Sequence, residues 1–566
     1  MTFIPYRRAI VASAVALLLS ACAIAPIPPA AAPVHLNLVA LNDFHGNLEP
    51  SRFIYKSVTD GKEHTVLAGG ADAVAAAVQA WRKEDPQLLL VGAGDLVGGS
   101  PPMSLMWADE PTIAVMNRLG VLVSAVGNHE FDQGRVELLR QQNGGCASPR
   151  PDKACQFDPH FGGAKFAYLA ANVFDAKTGQ PLLPAYRIEQ AHGVKVAFIG
   201  AVLQNIASVT LPSSIAGLKF TDEADAINSQ LPALRAQGVG VFVVLIHQGG
   251  NTDDAGDQPD CQHLKGDILP VLKRLDPAIK LVVSGHTHEP YTCRVDGRLV
   301  TEASMGGHML SRIGIDVDPA SNSVTAVSAN NVVMLAGQYA PNVAMDAYVT
   351  TVRQRSAAAL DHPVGRLAVA SVKRDRNAIG ETALGDVVAD AALAATGPLG
   401  AQIAFTNDGG MRADLNSGPG QMASVGQVQQ VQPFGNTLVL MTLTGAQIHT
   451  LLEQQHIEKE IGDHGLLQVS DGFSYRWDVS QPFGRRVVPG SVTLHGKPLA
   501  DAQAYRIVVN NFLSEGGDGF PMFKSGTDRV NSGLRDGDAL LHYLAAADKA
   551  GKPAGSAEPY GRIQGK

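Results

Sequence analysis

Five apolar runs, each closed by side chains that can bind metal, restrict this chain more than any other feature. They read HLNLVAL before Asn42, Asp43 and His45; QLLLVGAG before Asp95; VLVSAVG before Asn128, His129 and Glu130; VFVVLI before His247; and IKLVVSG before His286, Thr287 and His288. Short runs rich in Val, Ile and Leu, bounded by Gly, are the pattern of buried strands. Between them, GADAVAAAVQAWRKE and DEADAINSQLPALRAQG carry apolar residues at helical spacing. Strands alternating with helices predict an α/β fold, and such sheets gather ligands outside the carboxyl ends of their strands.

Asp43, His45, Asp95, Asn128, His247, His286 and His288 make an oxygen and nitrogen set without thiolate. That set suits Zn, Mn, Co or Fe. Asp43 and His45, like His286 and His288, are spaced by two, which in extended chain turns both side chains the same way. The set exceeds what one ion needs. Two divalent ions sharing Asp95 as a bridge would use all of it. A single histidine is more often structural than a ligand, and the chain has 17; the ordered recurrence after five apolar runs is what separates these from the rest.

Taken together, NDFHG, GDLVGGS, GNHEFD, IHQGG and GHTH resemble the calcineurin-like metallophosphoesterases, specifically the 5′-nucleotidase and UDP-sugar hydrolase family. The resemblance implies a four-layer α/β/β/α domain joined by a helical linker to a smaller α/β substrate-binding domain. It assigns one metal to Asp43, His45, Asp95 and His288, and the other to Asp95, Asn128, His247 and His286. His129 becomes the catalytic residue aimed at the phosphoryl group, with Asp132 orienting it and favouring its protonated form. Glu130 reads as a first-turn residue of the following helix, placed there by the helix dipole.

Beyond residue 335 the metal motifs stop. AGQYAPNVAMDAYVTTVRQRSAAALDH reads as a loop and a helix whose apolar stripe is Val343, Met345, Tyr348, Val349 and Val352. GETALGDVVADAALAATG reads as a capped helix, QIAFTNDGGMRADL as a strand and turn, and VQPFGNTLVLMTLTGAQIHTLLEQQ as a strand pair feeding a helix. NDGGMR, PFGN and NNFLSEGGDGF resemble the C-terminal substrate-binding domain of the same family, in the same order. The resemblance implies that Phe434 and Phe512 sandwich a nucleobase. Asn407, Arg412 and Arg376 would contact phosphate or ribose, Asp518 would accept ribose hydroxyls, and Asn436 would reach the base. Spacing alone does not choose Arg376 over Lys373 or Arg374. The implied activity is two-metal release of phosphate from nucleoside 5′-monophosphates, with UDP-sugars, nucleoside di- and triphosphates and 2′,3′-cyclic nucleotides as further substrates. The alternatives are a thiosulfohydrolase of the same architecture and a non-catalytic nucleoside-binding or adhesion lipoprotein.

At 566 residues the chain exceeds one hydrophobic core. The expected divisions are a signal peptide at 1–22, a Pro/Ala-rich tether at 23–34, the metallophosphoesterase domain at 35–335, a linker at 336–362 and the nucleoside-binding domain at 363–566. Arg7 and Arg8 precede AIVASAVALLLSACA, an apolar run too short for a comfortable membrane span. Leu19-Ser20-Ala21-Cys22 resembles a lipobox, so a lipidated Cys22 would hold the exported protein to the membrane in the cell envelope or periplasm; ordinary signal cleavage is the competing reading. Four cysteines then remain, and the sequence-local pairing Cys146 with Cys155 and Cys261 with Cys293 is favoured over the two others and over zinc, which lacks a C-x-x-C spacing. A net charge of −8 excludes a general binder of nucleic-acid polymers. The expected partner is a nucleotide, bound by a monomer.

Overall fold

The computed structural model describes residues 1–2, 32–455 and 466–565; the apolar leader and Cys22 lie outside the described residues. Two six-stranded sheets form the centre of the N-terminal half. The first has the order Ser323–Val333, Met309–Asp318, Val34–Leu41, Leu89–Ala93, Val123–Ala125, Ala167–Leu169. Its last four strands run parallel. The second has the order Tyr291–Val295, Arg298–Glu302, Leu281–Ser284, Val241–His247, Val194–Val202, Tyr186–Ala191, with the middle four parallel.

The sheets pack face to face through Leu36, Leu38, Val91 and Val123 on one side and Phe198, Val243, Leu245 and Val283 on the other. On the outer face of the first sheet, Val39 and Leu41 meet Val74, Val78 and Trp81 of the helix Gly70–Glu84 and Ile113 and Met116 of the helix Glu110–Leu119. Helices Glu223–Asn228, Leu231–Ala236 and Ile268–Arg274 cover the second sheet. Strands buried on both faces need apolar residues at every position, which is why the sequence presents continuous runs rather than alternation. The single helix expected in DEADAINSQLPALRAQG is two, because Pro232 has no N–H to donate and sits in the first turn of the second.

The helix Val343–Leu360, capped by Asn342, sinks Met345, Val349 and Val352 into the N-terminal core. Val343 is 77% exposed, so the buried stripe begins at Met345. The C-terminal half centres on a sheet of order Gln468–Val469, Ile403–Thr406, Ala504–Asn510, Thr437–Thr444, Thr527–Arg535. One face packs Phe405, Phe473 and Trp477, and the other takes the helices Ala383–Thr396 and Asp536–Lys549 through Ala389, Leu440, Val508 and Ala539. The expected strand pair around Pro433 is a single strand, Thr437–Thr444, because the preceding residues form the helix Val425–Val431 under a Ser424 capping box. In the first of the covering helices, Asp386 takes the Tyr560 N–H at 2.8 Å on one oxygen and has no hydrogen-bond partner on the other. Cys146 pairs with Cys155 and Cys261 with Cys293. Among the described residues no helix is long and apolar enough to cross a membrane.

Candidate active site

The strands ending at Leu41, Ala93, Ala125, His247 and Ser284 deliver the seven metal-type side chains to one place. They do so by a different local geometry from the extended spacing expected. The first strand stops at Leu41, and Asp43 and His45 follow in left-handed backbone, with φ 48° and 46°. Asp95, His286 and His288 are left-handed too, at 49°, 86° and 61°. Each such non-glycine residue costs on the order of 1–3 kcal/mol and persists only where surroundings hold it. Asn42 is one such support: its amide donates to Asp43 Oδ2 at 2.7 Å and to the Ser304 carbonyl at 2.6 Å, while its oxygen takes the Ala303 N–H at 2.8 Å. Glycine is required beside Asp95, since a Cβ on Gly127 would lie 2.1 Å from Asp95 Oδ1.

The ligand atoms fall into two groups. His45 Nε2 lies 3.0 Å from His288 Nε2 and 3.7 Å from both Asp43 Oδ1 and Asp95 Oδ2. His247 Nε2 lies 3.0 Å from Asp95 Oδ2 and 3.1 Å from Asn128 Oδ1, which His286 Nδ1 approaches to 3.0 Å. Asp95 belongs to both groups. The Nδ1–H of His45 donates to the Gly98 carbonyl and that of His247 to the Ala93 carbonyl, each at 2.8 Å. These bonds leave both Nε2 lone pairs facing inward, the outer arrangement of metal-binding imidazoles. Asp43, His45, Asp95 and His247 are all at most 1% exposed. Facing lone pairs and carboxylates this close, with so little water, fit divalent cations better than they fit one another.

Beside them, His129 Nδ1 bonds Asp132 Oδ2 at 2.9 Å. Burial works against charging this imidazole, but Asp132 and Asp95 outweigh it and raise its pKa. Glu130 is not in the first turn of the following helix, which starts at Gly134. It is 2% exposed in the short turn His129–Phe131, where its carboxylate accepts the backbone N–H groups of Asp95 at 2.9 Å, Leu96 at 2.8 Å and Gly127 at 2.6 Å. Sequence reading missed this role. The one signal available was a carboxylate wedged between a site histidine and a buried Phe131.

The C-terminal half closes over this centre. Arg412 Nη2 comes within 3.4 Å of His45 Nε2, and the Phe434 ring stacks on His129 at 5.5 Å between centroids and 15° between planes. Phe434, Asn436, Phe512, Asn407, Arg412 and Asp518 line one cleft of ≈ 220 Å³ with His129 and His288. Asn407 donates to Asp518 Oδ2 at 2.6 Å and accepts from Asn510 at 2.9 Å. Arg376 is placed otherwise: its Nε donates to Asp408 at 2.8 Å, and it is not among the residues lining the cleft. Arg374, not Arg376, is the neighbour whose charge lowers the Arg412 pKa, second only to burial.

The family model for calcineurin-like phosphoesterases matches residues 36–290, and that for the 5′-nucleotidase C-terminal domain matches residues 363–525. Among relatives, Endonuclease YhcR of Bacillus subtilis (strain 168) is 31% identical over 91% of this chain and 40% of its own length. Cell wall protein Lmo0130 of Listeria monocytogenes is 30% identical over 92% of this chain and 68% of its own. The chain thus spans less than half of the first relative and about two thirds of the second. The solved structure of a 5′-nucleotidase precursor from Thermus thermophilus superimposes with a TM-score of 0.74 at 27% identity, covering 94% of this chain and 99% of that one. Matched in both halves and in their order, the chain belongs to the calcineurin-like metallophosphoesterases that carry a 5′-nucleotidase C-terminal domain, a family of phosphoester hydrolases.

Proposed function

We propose that this chain releases phosphate from nucleoside 5′-monophosphates, with two divalent metal ions as cofactors. The observation that carries the reading is one cleft lined both by members of the two ligand groups, Asp95, Asn128, His286 and His288, and by the C-terminal aromatic and arginine side chains. Asp43, His45, Asp95 and His288 would hold one ion, and Asp95, Asn128, His247 and His286 the other. Bound ions supply positive charge to phosphoryl oxygens and lower the pKa of a water nucleophile. His129, kept protonated by Asp132, stabilises charge growing on the phosphoryl group or gives its proton to the leaving oxygen. Arg412 enters beside His45 and is suited to gripping a phosphate oxygen. Phe434 and Phe512 stack the base, a contact that tolerates different bases, while Asn407 and Asp518 meet the ribose and Asn436 the base edge. In this reading residues 35–335 carry the chemistry, 336–362 join the halves and 363–566 present the nucleoside. Export and anchoring through a lipidated Cys22 would place the monomeric enzyme in the cell envelope.

The test is a phosphate-release assay over a panel of nucleotides and p-nitrophenyl phosphate, with chelation and metal add-back, on the native chain, His129→Ala and Phe434→Ala. Chelation should abolish release and add-back restore it. His129→Ala should lower kcat about 10²–10⁴-fold. Phe434→Ala should raise KM for nucleotides by the equivalent of about 1–3 kcal/mol. Release that survives both chelation and His129→Ala overturns the proposal.

A further inference from the structure

Thr287 stands between His286 and His288, which face different ligand groups: His286 meets Asn128, and His288 meets His45 and Asp43. Both histidines are left-handed, a backbone conformation uncommon for any residue but glycine. Two strained residues around one threonine need something to hold them. Thr287 Oγ1 lies 2.7 Å from the Gly250 carbonyl oxygen and 3.0 and 2.9 Å from the two carboxyl oxygens of Glu302. Glu302 is fully buried, ends the strand Arg298–Glu302, and is tied to Asn331 through its backbone carbonyl at 2.7 Å. The pocket around this contact is closed: a Cβ on Gly249 would lie 2.5 Å from Thr287 Oγ1 and 2.6 Å from Glu302 Oε2.

We propose that Thr287, clamped between Glu302 and the Gly250 carbonyl, is a positioning residue that holds His286 and His288 to both metal positions at once. The inference rests on the metal assignment proposed above. A threonine that merely satisfies its hydroxyl in a turn would be replaceable without effect on the ions. Here the hydroxyl anchors a turn whose two strained residues point to two centres. Releasing it lets the backbone relax to ordinary φ, and both imidazoles leave together. A ligand substitution such as His288→Ala should instead weaken chiefly one ion.

The full chain, stripped of metal by chelation and titrated with Co²⁺ alone, tests this through the visible absorption of the bound ion. The native chain should take up two ions. Thr287→Val should weaken both by about 10–100-fold, the usual cost of losing an outer-shell partner. Thr287→Ser, which keeps the hydroxyl, and Glu302→Gln, which keeps a group able to bond it, should retain both; Glu302→Ala should behave like Thr287→Val. Circular dichroism of the stripped proteins checks folding, and Thr287→Ala serves in place of Thr287→Val if the latter fails to fold. A native chain that binds no pair of ions sinks the metal assignment itself. A native chain that binds two, with Thr287→Val or Thr287→Ala binding both as tightly or losing only one, overturns the clamp.

Discussion

Glu130→Gln changes one atom and should loosen two ligand-bearing turns together. The carboxylate takes Asp95 N–H and Gly127 N–H on Oε2, and Leu96 N–H on Oε1. A glutamine keeps one acceptor oxygen and turns an NH₂ group at the donors of the other, Leu96 N–H and, at 3.4 Å, Val97 N–H and the Tyr168 hydroxyl. Its best orientation keeps the Asp95 and Gly127 bonds, made weaker by the loss of charge, and sets its NH₂ against Leu96 N–H. Losing one charge-assisted bond costs about 1.5–3 kcal/mol, and weakening two others about 1 kcal/mol each, so the local cost is about 3–5 kcal/mol. Burial and the adjacent Asp95 charge push the Glu130 pKa up to about 7, so the comparison belongs at about pH 8.5, where the carboxylate is ionised. The assay is amide hydrogen exchange in peptides covering 94–99 and 126–131 of metal-stripped protein, which reads local opening without relying on two-state unfolding of a multidomain chain. At 1.4 kcal/mol per tenfold, protection should fall by about two to three and a half powers of ten. A fall below tenfold in both peptides would refute the reasoning, since four backbone N–H groups, those of Asp95, Leu96, Val97 and Gly127, converge on the one carboxylate.

Two further outcomes follow from other parts of the chain. Burial raises the Asp386 pKa from 3.8 to about 7, so its contribution to stability is fully present below about pH 4 and is lost as pH rises through about 7; Asp386→Asn should flatten that dependence in pH-resolved thermal melts, and an unchanged slope would contradict it. Cys22→Ser should move the exported protein from the membrane to the soluble fraction on cell fractionation, and unchanged membrane retention would remove the lipid anchor.

The strand ends, the helices on the sheets and both disulfide pairings were legible because each is written in local pattern: continuous apolar runs, helical spacing and nearby cysteines. Elsewhere non-local partners carry what local pattern does not show. Arg376 is one of three basic residues within four, and its bond to Asp408, which lies beyond the next helix and strand, is not written in that spacing. Glu130 reads locally as a helix-start residue, yet its partners Asp95 and Leu96 come from a different turn, more than thirty residues away. The missing N–H of Pro232 splits one periodic segment into two helices.

The sequence by itself determined which side chains end the strands, and with them the chemistry available to the centre, because burying parallel strands demands apolar runs and leaves polar residues at their carboxyl edge. Only the tertiary structure decided how those side chains converge. Left-handed φ at Asp43, His45, Asp95, His286 and His288 is too costly for any local segment to adopt alone. It is held by the hydrogen bonds of Asn42, Glu130 and Thr287 to other strand ends, which are distant in sequence and meet only in the folded chain.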